Sequence, residues 1–175
     1  MPIIRVTHPA GAMTRAQKDA LAPMLVDAVM RQEIDPVTPE ARWVTGVAFN
    51  EVAAGDWYVA GQRADDHPIW LVESIVYGGF FNQARRDAAQ LEIGRAFATV
   101  FRDGSEYMVG EERVSPAMLM QVYSVIVEVP EGSWGVAGRT ISALEIGRFI
   151  GNAPGGSRDR ELHANIARVK LLRAS

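Results

Sequence analysis

The chain contains no cysteine, which excludes disulfide staples and thiolate metal sites and fits a reducing compartment. Its histidines are few, His8, His67 and His163, and they lie apart with no metal-ligand spacing. No metal is therefore expected. An excess of positive charge is also missing: 18 Lys and Arg stand against 21 Asp and Glu. No basic field invites nucleic acid or an anionic membrane. Long apolar runs are absent too. The most apolar stretch, residues 117–129, is too short to span a bilayer and carries Gln121 and Glu128. The opening Met-Pro-Ile-Ile-Arg-Val lacks the basic start and apolar core of a signal peptide. The glycine pairs 78–79 and 155–156 match no phosphate loop. The expectation is a water-soluble, cytoplasmic protein with a small-molecule substrate and neither nucleic-acid nor membrane partners.

What the chain does have is a repeat. Residues 50–61, Asn-Glu-Val-Ala-Ala-Gly-Asp-Trp-Tyr-Val-Ala-Gly, recur at 127–138 as Val-Glu-Val-Pro-Glu-Gly-Ser-Trp-Gly-Val-Ala-Gly. Glu, Val, Gly, Trp, Val, Ala and Gly fall in register. The segments ahead of them also correspond: Lys18-Asp-Ala-Leu with Arg86-Asp-Ala-Ala, and Asp27-Ala28 with Arg95-Ala96. Self-similarity over this distance marks a duplicated supersecondary unit. At 175 residues the chain suits a single domain built from pseudo-repeat halves 1–65 and 66–140, with a tail 141–175.

Each half reads as strand, helix, strand. Residues 2–8 are β-branched and apolar, a strand pattern. Thr14 with Gln17 forms a capping-box signature, opening a helix to about Gln32 with Pro23 inside it. A strand is expected over 43–51, then a hairpin around Gly55 and Gly61. The second half repeats the order: strand 69–76, a turn at Gly78-Gly79, a cap at Asn82, a helix over 84–101, a polar loop over 102–115, and a strand over 118–129 with its hairpin. The tail is expected to be an amphipathic helix presenting Leu162, Ile166, Val169 and Leu172 on one face. Two β-α-β units with right-handed crossovers give an α+β fold: a four-stranded sheet under two helices, with extra hairpins and a C-terminal helix. The hairpin aromatics Trp57, Tyr58 and Trp134 suit either a capped sheet edge or contact with a neighbouring subunit.

Met-Pro ahead of an apolar strand, with Glu-x-x-x-Gly-x-Trp-x-Val-x-Gly hairpins, resembles the tautomerase superfamily (tautomerase/MIF-like). Over residues 2–155 the chain is similar to the cis-3-chloroacrylic acid dehalogenase group of fused 4-oxalocrotonate tautomerase-like units. The matching residues are Pro2, Thr14, Lys18, Asp27-Ala28, Val47-Ala-Phe-Asn-Glu51 and, above all, Glu145-Ile-Gly-Arg-Phe-Ile150 before Pro154-Gly155. The resemblance implies a homotrimer in which Pro2, once Met1 is removed, is the general base or acid. It also implies that Glu145 activates water or polarises the proline, with Arg148 binding an anionic substrate. Tyr123, Trp134 and Phe80 would line the pocket. A terminal proline offers a secondary amine, and burial favours its neutral form, which can take a proton α to a carbonyl. The proline chemistry that the resemblance implies needs no organic cofactor either.

Departures from the pattern narrow the chemistry. The family histidine of the first helix falls on Val29, and the third-strand arginines fall near Val76, Tyr77 and Phe80. The fourth-strand tyrosine falls on Val125, with Tyr123 two residues away; Met13 and Gly46 replace further cations. Losing bidentate arginine contacts weakens carboxylate recognition, so no efficient 3-chloroacrylate dehalogenation is expected. The internal counterpart of Pro2 is Trp70, which has no free amine, so one site per chain is expected. Glu145 and Arg148 also suit a surface i, i+3 ion pair. Three readings stay open: a tautomerase-type proton transfer, a water addition of the hydratase or dehalogenase kind, and a lapsed relative that binds a hydrophobic ligand.

Overall fold

The computed structural model describes residues 2–63 and 68–174; Met1, His67 and the side chains of Val169 and Leu172 lie outside the described residues. Alternation sets the first strand, β1 (Ile3–Pro9): Ile4, Val6 and His8 point into the core, while Ile3 and Arg5 point out. The chain returns through α1 (Arg15–Glu33), whose first turn carries the expected capping box of Thr14 and Gln17. A short helix α2 (Pro39–Trp43) follows, and then β2 (Gly46–Val52), parallel to β1. A hairpin of β3 (Tyr58–Val59) and β4 (Gln62–Arg63) ends this half.

The second half repeats the order with β5 (Trp70–Tyr77) and α3 (Gln83–Phe101), capped by Asn82. The hairpin β6 (Tyr107–Val109) and β7 (Glu112–Val114) comes next, then a 3-10 turn at Ala117–Gln121. It closes with β8 (Val122–Val129) and the hairpin β9 (Gly135–Val136) and β10 (Arg139–Thr140). Helices α4 (Ala143–Phe149) and α5 (Ser157–Ala174) complete the chain.

One mixed sheet joins the halves in the order β2-β1-β5-β8. The outer pairs are parallel, as crossover helices require, and β1 meets β5 antiparallel at the centre. Helices α1 and α3 cover one face. Leu21, Leu25 and Val29 meet Ala89, Ile93 and Phe97 over Ile4, Val6, Val72 and Val76, all fully buried. The repeat also places matching ion pairs, Lys18 on Glu51 at 2.6 Å and Arg86 on Glu128 at 2.8 Å. Two of the hairpins share one turn chemistry: Ala60-Gly61 and Ala137-Gly138 both have positive φ at each central residue, as a tight two-residue turn demands.

Three local expectations are corrected. Trp43 ends a helix rather than starting a strand, because Thr38 caps a turn opened by Pro39; the strand starts at Gly46. The segment 102–115 is not only loop: Gly110, at φ 61°, reverses the β6–β7 hairpin. The last long strand begins at Val122, because the Asp103 carboxylate holds the Met118 amide at 2.7 Å and keeps the preceding turn coiled. The sheet face opposite α1 and α3 is left uncovered by these elements, and Ile3, Tyr123, Val125 and Val127 stand on it between 41% and 54% exposed.

Candidate active site

Pro2 is buried at the head of β1, where its carbonyl accepts the Gly46 amide at 3.1 Å. Antiparallel pairing sets Ile3 opposite Ile75, so Pro2 lies beside the closing residues of β5, Val76 and Tyr77. The end of the second half's first strand therefore lies level with the first half's proline. Tyr77 is fully buried; its hydroxyl donates to the Ile141 carbonyl and its ring lies 6.2 Å from that of Trp134. That bond ties the sheet to the start of α4. Burial raises the Tyr77 pKa, and the charges of Glu131 and Glu145 add to the rise. Next to Tyr77, a cleft of about 210 Å³ opens between Gly78-Gly79, residues 128–131, and Asn165 and Ile166 of α5.

Helix α4 opens on Ser142. Its hydroxyl accepts the Glu145 amide at 3.1 Å, and Glu145 reaches back to the Ser142 amide at 2.9 Å. Arg139 donates to the other Glu145 oxygen at 2.9 Å. The Ser142 amide, the Arg139 guanidinium and the Ser142 hydroxyl together pull the Glu145 pKa to about 2, although the side chain is exposed. Glu145 is thus a fixed anion at neutral pH and a weak base. Arg148, one turn on, is exposed; its neighbour Phe149 lies 6.1 Å from the ring of Trp43.

Of the residues expected at the site, Pro2, Trp134, Glu145 and Arg148 thus belong to elements gathered at one end of the sheet. Phe80 is at the same end, but it is only 2% exposed and packs in the core towards Gly147. Tyr123 is elsewhere in the protomer: it pairs with Leu71, which pairs with Thr7, at the far end of β1. Among the described residues no group of three or more His, Asp or Glu is placed to hold a metal.

Sequence reasoning missed one residue at this end. Glu33 closes α1 and is fully buried, and neither carboxylate oxygen has a hydrogen-bond partner among the described residues. The available signal was helical spacing: Glu33 follows Val29 by one turn on the buried stripe. Burial raises its pKa from 4.5 to about 6, with the charge at the chain's amino terminus pulling the other way. The folded protein therefore holds this proton more tightly than the unfolded chain. The associated stability is full below the unfolded pKa and is lost as pH rises through about 6, amounting to roughly 2 kcal/mol. In protein that keeps Met1, where the Pro2 nitrogen is an amide and cannot pair with Glu33, urea denaturation should show Glu33→Gln matching wild type near pH 4 and exceeding it by that amount at pH 8. Equal stability of the two proteins at pH 8 would contradict the penalty.

The geometry defines a two-unit α+β protein of the tautomerase fold, with its first residues at the centre of a mixed sheet. Within that class the solved structures it resembles are fused 4-OT and cis-CaaD family members. One is N1, a member of the cis-3-chloroacrylic acid dehalogenase (cis-CaaD) family, at 18% identity and a TM-score of 0.63, covering 93% of this chain and 99% of that one. Another is the Q0 fused 4-OT symmetric trimer, at 25% identity and a TM-score of 0.60, covering 83% and 99%. A third is Pt0534 inactivated by 2-oxo-3-pentynoate, at 18% identity and 0.61, with the same coverage as the second. The sequence matches no protein-family model and no curated protein. Among the described residues, no helix is long and apolar enough to cross a membrane.

Proposed function

We propose that this chain is a tautomerase-superfamily enzyme that moves a proton on a small keto, enol or unsaturated carboxylic acid through the amine of Pro2. The observation that carries this reading is the burial of Pro2 at the head of the central strand, at the end of the sheet where Tyr77, Trp134 and the cleft also lie. An α-amino group titrates at about 7.7–8.0 in water. Apolar surroundings disfavour its charged form, leaving a neutral base near physiological pH. The base takes a proton from the substrate's enol oxygen or α-carbon and returns it to another atom, with no net proton consumed. In this reading Arg148, exposed on α4, meets the substrate carboxylate, and Glu145 supplies a fixed negative charge. Trp134 and, within the core, Phe80 form the apolar side. The test combines intact mass, to show Met1 removed, with ketonisation of phenylenolpyruvate or 2-hydroxymuconate.

A specific observation favours a second reading, a lapsed enzyme that binds a hydrophobic ligand. Val29, Val76 and Tyr77 stand where the resemblance places a histidine and arginines, and all three are fully buried. Processed protein with no ketonisation above background would favour it.

The working form is a homotrimer. Q0 is a symmetric trimer, and here a sheet face rich in Ile3, Tyr123, Val125 and Val127 is exposed on the single chain. Contiguous apolar surface of this kind marks an association face. In a trimer Tyr123, remote from its own Pro2, would lie at a subunit boundary. Light scattering is expected to give three times the 19.1 kDa chain mass. Val125→Asp, which buries a charge in that face, is expected to leave monomer. A wild-type monomer at micromolar concentration would refute the trimer.

A further inference from the structure

The two halves are built alike, and comparison of their equivalent positions assigns a role to Glu33. Helices α1 and α3 are both 19 residues long and are capped by Thr14 and Asn82. In that register Glu33, last in α1, corresponds to Phe101, last in α3; Val29 corresponds to Phe97, and Pro2 to Trp70. In the second half these three positions touch: the Trp70 ring lies 5.8 Å from Phe97 and 5.0 Å from Phe101. An aromatic cluster fills that end of the second unit. In the first unit the same three positions hold a proline, a valine and a carboxylic acid.

We propose that the Glu33 carboxyl is the buried counter-ion of the Pro2 amine and sets its protonation. This rests on the reading that Pro2 carries a free amine. The chain path supports it: α1 runs back against β1, so its last residue returns to the level of the first residue of the strand. Asn152 donates to the Glu33 backbone carbonyl at 3.4 Å, and both side-chain oxygens, fully buried, are without a partner among the described residues. A buried carboxylate without a donor is costly, and a terminal amine is a donor it can accept from.

Charged side chains on the surrounding elements have other engagements. Arg42 lies on Asp27 at 2.5 Å, Arg158 on Glu161 at 3.9 Å, and Asp159 holds the Gly155 amide at 2.9 Å. Arg5, Asp35, Glu40 and Arg148 are exposed. Glu33 acts through Pro2 and need not touch substrate, so it is a positioning residue. Its negative charge raises the proton affinity of the amine, offsetting the lowering that burial alone imposes. A proton taken from substrate onto the Pro2 nitrogen is thereby held until it is returned to the product carbon. Amine and carboxyl titrate as a pair.

The test is covalent labelling of the whole protein by 2-oxo-3-pentynoate, the compound that inactivates Pt0534, followed by mass spectrometry from pH 5 to 9. Only the neutral amine reacts, so the midpoint of the labelling rate reports the protonation of Pro2. Glu33→Gln, near in shape but uncharged, is expected to lower the midpoint by about 1–3 pH units, the size of a close opposite charge. Glu33→Asp keeps the charge and is expected to restore most of the shift; it also serves if the glutamine variant does not fold. Labelling with an unchanged midpoint in folded Glu33→Gln would overturn this role alone. Processed wild-type protein that takes no label would overturn it together with the Pro2 reading.

Discussion

Pro2→Ala is expected to slow ketonisation of an enol acid by about 10²–10⁴-fold, the usual contribution of a positioned acid–base group. The substitution leaves a terminal amine, so charge alone is not what changes. Proline's ring fixes φ near −65° and holds the nitrogen as a rigid secondary amine. Alanine gives a primary amine that rotates and is more strongly hydrated. The Pro2 carbonyl that receives the Gly46 amide is kept, so the sheet register should survive. Circular dichroism and trimer mass should match wild type while the rate falls. A processed Pro2→Ala protein with an undiminished rate would remove proline from the chemistry.

Phe80→Ala is expected to cost about 3–5 kcal/mol of stability, as for other buried phenylalanines cut to alanine. Phe80 is 2% exposed and follows the Gly78-Gly79 turn. Its carbonyl accepts the Arg85 guanidinium at 2.6 Å, and Arg85 is also paired with Glu161 on α5. Asn165 of the same helix donates to the Gly79 carbonyl at 2.6 Å. The ring thus sits where β5, α4 and α5 converge, near Gly147 and buried in the core. Urea denaturation measures the loss. Phe80→Leu should recover most of it and change KM little. A large rise in KM for the leucine variant at near-normal stability would instead show that the ring reaches substrate.

The fold was legible because duplication doubles every signal. The capping residues Thr14 and Asn82, the alternating strands and the repeated Val-Ala-Gly turns each recur, and each lies in an element of the expected kind. The boundaries that slipped, at Trp43 and Met118, are places where a single cap, from Thr38 or Asp103, outweighs a β-rich composition. The site was legible only in outline. Pro2, Trp134, Glu145 and Arg148 were singled out by motif order, and the structure shows that the elements carrying them meet at one end of the sheet. Tyr123 could not, because only strand pairing reveals which end of the sheet a residue occupies. Glu33 was hidden because a glutamate in the last turn of a helix reads as solvated. Its burial arises from contacts far along the chain, with Asn152 donating to its backbone.

The antiparallel seam between β1 and β5 divides labour between the two copies of the ancestral unit. One copy contributes the nitrogen, and the other contributes the tyrosine wall, the tryptophan hairpin and the route into α4. In the second copy Trp70 stands where the first has Pro2, packed on Phe97 and Phe101. On the proposed reading, in which Pro2 is the reacting group, substitutions there would reshape the first copy's pocket without damaging a second active centre. Asymmetry of this sort gives a fused gene a freedom that a protein assembled from identical short subunits lacks, since every change in such a subunit falls on all its sites at once.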